Sequence, residues 1–107
     1  MPTREFFGFG SLVLVTLHNP REKFWGMVLS LGPAGVSLRG IDLHSLDDFA
    51  RLVKSGERAS AGVVFFPMHR IERIEMDVPN GDIPSLADQF VSKAGVPIGG
   101  FFQEHEP

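Results

Sequence analysis

His69, Arg70 and Arg73 place three nitrogen-bearing side chains close together in the chain, and groups of this kind meet phosphates or hydrogen-bond the edges of bases. Glu72, Glu75 and Asp77 stand among them, so the same arginines can equally be engaged in ion pairs along a solvated edge. The other histidines, His18, His44 and His105, lie in separate segments without the short spacing of a metal site, and no cysteine accompanies them. His44 comes nearest to a cluster, beside Asp42, Asp47 and Asp48, but acids there read more simply as helix caps. Hydrolytic chemistry needs a nucleophile, a base and an orienting group brought together, whereas Ser45, Ser60 and Ser85 all sit in turn or cap contexts. Neither Gly8-Phe9-Gly10 nor Gly99-Gly100 precedes a helix with a lysine, as a phosphate loop requires. The residues imply no cofactor, no metal and no enzymatic activity.

Composition narrows the setting of these groups. A chain of 107 residues forms about one domain, and 43% apolar residues with 10 Phe and no Tyr suit a compact core. The net charge is −3, so any basic surface must be local, and broad nonspecific nucleic-acid binding is disfavoured. The lack of cysteine excludes disulfides and fits a reducing cytoplasm. No apolar run reaches the roughly 18 residues of a membrane span, and a soluble cytoplasmic protein is expected.

The elements that must position the candidate residues are mostly strands. Residues 23–31 read as the central one: Phe24, Gly26, Val28 and Ser30 share one face and Trp25, Met27, Leu29 and Leu31 the other, both partly apolar. Both faces are therefore expected to be covered, the second by a terminal helix or another subunit. Gly26 inside this strand predicts a sharp bend or a close backbone approach. Residues 11–18 form the strand before it, and 36–41, 63–66 and a short segment before Met76 the strands after it, with one tight helical turn around His69. Ser45-Leu46-Asp47-Asp48 predicts a capped amphipathic helix to about residue 55, with Gly56 at its end. Ser85-Leu86-Ala87-Asp88 repeats the pattern for a helix to about Lys93, ended by Gly95. Residues 57–62 read as a flexible link. The expected fold is mainly β, a strongly bent five-stranded antiparallel barrel with two short helices: an N-terminal arm over 1–10, the barrel over 11–78 with a helical insertion at about 45–56, and a C-terminal helix and tail over 79–107.

At this point the residues resemble the Sm-like family, and within it the bacterial Hfq branch. The likeness covers residues 11–76 without the helical insertion: Val13 to Leu17, then Phe24-x-Gly26-x-Val28-x-Ser30, then Val63 to Phe66 followed by His69-x-Ile71. Met68 stands where Hfq carries lysine, and Gly32-Pro33-Ala34-Gly35 replaces the family's polar turn. The resemblance implies a homo-oligomer, with a ring as one form open to it, that binds single-stranded RNA at its subunit seams. Ser37, Arg39, His69, Arg70 and Arg73 would then contact RNA. It also implies that the fourth and fifth strands are edges pairing between subunits. Val63, Val64, Phe65 and Phe66, with Trp25, are the expected interface anchors, and Phe6 to Phe9 and Phe101-Phe102 are further candidates. Trp25 and these phenylalanines can equally cap the monomer's own core. Two other readings stay open: a homo-oligomeric protein-interaction scaffold without nucleic acid, and an SH3-like monomer binding a peptide.

Overall fold

A computed structural model describes residues 6–102 of the chain. Residues 1–5 of the expected arm, and His105 in the tail, lie outside them. Five strands form one antiparallel sheet: β1 (Leu12–Leu17), β2 (Glu22–Gly32), β3 (Gly35–Asp42), β4 (Gly62–Pro67) and β5 (Ile71–Met76). Their order is β4-β3-β2-β1-β5, so β4 and β5 are the edges. Three-residue 3-10 turns follow β3 (Leu43–Ser45) and β4 (Met68–Arg70), and the helices are α1 (Leu46–Lys54) and α2 (Leu86–Ala94). A last 3-10 turn covers Gly99–Phe102. Among the described residues no helix is long and apolar enough to cross a membrane.

The alternation of apolar residues gives this sheet two buried faces. On the inner face Val13, Val15, Leu17, Val28, Val36, Leu38 and Phe66 form one core, with Phe7 and Ile74 packed on it. Almost everything in that core comes from the strands themselves, so the sheet must cover its own face by curling. The connection from β4 to β5 shows that it does: Pro67 pairs with Gly35 on β3, Ile71 pairs with Leu17 on β1, and only Met68–Arg70 lies between. A 3-10 turn advances about 2 Å per residue, far short of the roughly 19 Å between the edges of a flat five-stranded sheet. The hydrogen-bonded ladder nevertheless stops at β4 and β5, which do not pair. The expected five-stranded antiparallel arrangement with two short helices is present, and the sheet is curled without closing into a barrel.

Gly26 permits a close backbone approach within it. It pairs with Gly40 on β3, and a Cβ at position 26 would lie 2.5 Å from the Arg39 carbonyl oxygen and 2.6 Å from the Gly40 Cα. Two glycines facing each other let the strands come together where any side chain would collide. A register shift follows between Val28 and Ser30, an irregularity of the kind that increases local twist.

The outer face is covered by the helices and the tail. Trp25 and Ile41 pack with Leu46 and Ala50 of α1, Phe90 and Ala94 of α2, Ala61, Phe101 and Phe102. The Trp25 ring stands 4.9 Å from Phe102 and 5.7 Å from Phe90, and Phe101 lies 4.7 Å from Phe90, an aromatic cluster in tilted and edge-on geometries. Trp25 is fully buried inside its own chain, the core position that the sequence left open beside an interface one. Phe101 and Phe102 likewise dock on the chain that carries them. The 57–62 segment is less free than its composition suggests, because Ala61 is buried and its N–H donates to the Phe101 carbonyl at 3.0 Å.

The two helices begin differently although their sequences look alike. Ser85 is extended (φ −60°, ψ 160°) and its hydroxyl accepts the Asp88 N–H at 3.0 Å, as expected. Ser45 does not cap α1: its backbone is already helical (φ −90°, ψ −2°), because the 3-10 turn runs straight into the helix, and its hydroxyl makes no cap bond. The cap moves upstream to Asp42, whose carboxylate accepts the His44 N–H at 2.8 Å. Gly56 and Gly95 follow the helices with φ of +86° and +77°, as their positions predicted.

Candidate functional site

Arg70 is the centre of the predicted basic cluster, and the structure shows what occupies it. Its Nε donates to the His18 carbonyl at 3.1 Å, and its Nη2 donates to the Pro20 carbonyl at 2.9 Å and to Glu22 Oε2 at 3.1 Å. The His18 N–H donates back to the Arg70 carbonyl at 2.9 Å, and the His18 ring nitrogen Nε2 donates to the His69 carbonyl at 2.8 Å. The planar guanidinium thus fastens the β1–β2 turn to the turn before β5, a use that suits its fixed fork of donors. Its partners lie about fifty positions away in the chain, and nothing local in the sequence announces them.

The remaining predicted contacts are dispersed. Arg73 pairs with Glu75 at 3.0 Å on an exposed part of β5. Asp77, expected as an alternative acid for the arginines, serves elsewhere: Oδ1 accepts the Leu86 N–H at 2.7 Å, and Oδ2 accepts the Ala87 N–H at 2.9 Å and the Trp25 Nε1–H at 3.0 Å. Ser37 and Arg39 sit on β3 opposite Phe65 and Val63 of β4. Among the described residues, no hydrogen bond or ion pair connects either of them with His69, Arg70 or Arg73. The structure therefore brings His69 and Arg70 together around His18, and leaves Ser37 and Arg39 on another strand.

The predicted interface strand divides by face. Phe66 is buried in the inner core, edge-on to Phe24 at 4.8 Å, and the partly buried Val64 packs on the same core. Val63 and Phe65 point the other way and are 58% and 54% exposed. The helices cover the outer face over Trp25 and Ile41 but do not reach these two side chains on the edge strand. Of the arm, Phe7 packs on the inner core, and a main-chain bond from Gly10 N–H to the Val28 carbonyl, 2.8 Å, fixes the arm to β2. Phe9 is 79% exposed.

The chain has no match among protein-family models, curated proteins or solved structures. Its geometry is thus the ground for a functional reading. That geometry joins an apolar, half-exposed edge strand to a basic cluster whose main arginine is committed to the fold. Among the described residues no three His, Asp or Glu side chains come together to hold a metal ion.

Proposed function

We propose that the chain is a self-associating, Sm-like interaction module in which the β4 edge of one copy pairs with the β5 edge of the next, and that it works as a protein scaffold. The carrying observation is the pair Val63 and Phe65, more than half exposed on a six-residue strand that pairs on one side only. An exposed apolar edge invites strand addition, and β5 offers an edge of the same length at the other end of the sheet. Covering each of these side chains contributes about 1 kcal/mol, and pairing also satisfies the open row of backbone groups. Because the two edges differ, the contact is head-to-tail and closes into a ring when the rotation permits. The strand order, with β4 and β5 outermost, supports the Sm-like comparison.

Single-stranded RNA at the seam is the weaker reading. The ion pairs of Arg70 with Glu22 and Arg73 with Glu75 remove much of the positive charge that phosphates would meet. Light scattering on the purified protein tests the proposal. A particle several times the 11.8 kDa of one chain is expected, falling to a monomer in Phe65→Glu, with no salt-dependent binding of labelled single-stranded RNA. A wild-type monomer at about 100 μM, far above the Kd of a stable interface, refutes self-association. RNA affinity that drops steeply with salt overturns the scaffold reading in favour of RNA.

A further inference from the structure

A hollow of about 290 Å³ opens between the start of β2 and the 3-10 turn after β3, lined by Arg21, Glu22, Lys23, Leu43 and His44. Its charges are unequally occupied. Glu22 is bound to Arg70, and the neighbouring Asp42 carboxylate accepts the His44 N–H. Among the described residues the side chains of Arg21, Lys23 and His44 make no hydrogen bond and no ion pair. The acids beside the hollow are thus engaged while its nitrogen donors are open.

The strand register adds a second observation. Thr16 lies opposite Lys23 on one side and Arg73 on the other, and directly opposed residues of antiparallel strands project to the same face. Its hydroxyl is fully buried and has no hydrogen-bond partner among the described residues, an arrangement that ordinarily costs about 1–3 kcal/mol. Lys23, the one member of this row that lines the hollow, thus starts on the face of the sheet that holds the unsatisfied hydroxyl, while Arg73 is paired with Glu75.

We propose that the hollow binds a small phosphate monoester. Arg21 presents a guanidinium fork to two phosphate oxygens, Lys23 supplies a second full charge, and the His44 ring donates to the third oxygen. Two cations without an ion-pair partner match a dianion better than a singly charged carboxylate, even with the Asp42 carboxylate nearby. Leu43 forms an apolar wall for the esterified group. The volume is close to the lower end of small-molecule sites, about 300 Å³, and suits a compact ester. None of its lining residues lies on β4 or β5, so it does not depend on self-association.

Titration of the full chain with glycerol 3-phosphate, followed by NMR at the His44 ring and at fixed pH, tests this. Saturable shifts are expected, absent in sodium chloride of equal ionic strength. Loss of one charge-assisted hydrogen bond should weaken binding about tenfold or more in Lys23→Gln and in Arg21→Gln. Lys54→Gln, on α1 and outside the hollow, should leave affinity unchanged. Shifts that rise linearly and equally in chloride, or an affinity untouched by Lys23→Gln and Arg21→Gln, overturn the proposal. A short uridine oligonucleotide with hydroxyls at both ends should bind more weakly than the monoester. Equal or tighter binding refutes the assignment to a monoester.

Discussion

Replacing Asp77 separates two accounts of how the C-terminal part of the chain is secured to the sheet. If apolar contact with Trp25 suffices, Asp77→Asn should be nearly silent. If the carboxylate is the fastening, it should be costly, because the side chain serves three N–H donors with two oxygens: Leu86 on Oδ1, and Ala87 together with Trp25 Nε1 on Oδ2. Asparagine keeps one acceptor and turns the other into an NH₂ group that faces one donor or two according to the flip, so at least one donor is left without an acceptor. A buried donor without an acceptor costs about 1–3 kcal/mol. Weakened capping of the first turn of α2 adds about 1 kcal/mol, and loss of the negative charge at the helix N-terminus adds a few tenths. Together these amount to about 2–4 kcal/mol, a large share of the 5–15 kcal/mol that holds a typical domain folded. At about 4 °C per kcal/mol, Tm should fall by roughly 8–16 °C in both Asp77→Asn and Asp77→Ala. Thermal and urea unfolding, read by the single Trp, report the effect at the fastening itself. An Asp77→Asn protein within about 0.5 kcal/mol of wild type would show that the bonds to this carboxylate are incidental to the docking of α2.

Gly26→Ala should destabilise by about 1–3 kcal/mol or more, since its Cβ meets backbone that cannot rotate away, while Gly62→Ala, with open space around the same atom, should be neutral in the same urea titration. Ser85→Ala should cost about 1 kcal/mol and Ser45→Ala almost nothing, and equal losses would contradict the difference in their caps. Arg70→Leu should cost about 2–4 kcal/mol by removing three donors from the β1–β2 turn, read by denaturation and by faster amide exchange of residues 18–22.

Much of the strand layout was legible because a period of two in β1, β2 and β3 coincides with β-branched and aromatic residues. What pairs with what was not. Gly26 signalled a close approach, but Gly40 as the approaching residue depends on register, which no local pattern states. Ser45 and Ser85 carry the same signature, and the backbone that precedes each decides between them: a 3-10 turn makes Ser45 helical, whereas Pro84 leads into an extended Ser85. Ion pairing of Arg70 was open in the sequence, but two of its three partners are carbonyls, which every residue has and no sequence advertises.

The two coverings of the sheet explain where it stays open. The inner face is buried by curling, which brings Phe66 and Val64 inward along with the strands that carry them. The outer face depends on α1, α2 and the tail, a cover of fixed width centred on Trp25. Curling carries β4 away from that centre, so the strand that turns Phe66 and Val64 inward leaves its outer side chains, Val63 and Phe65, without cover. A polar residue at position 65 would have removed the exposure at no cost to the core, since Phe65 faces away from it. A phenylalanine exposed there on an edge strand is the observation on which the proposed pairing of copies rests.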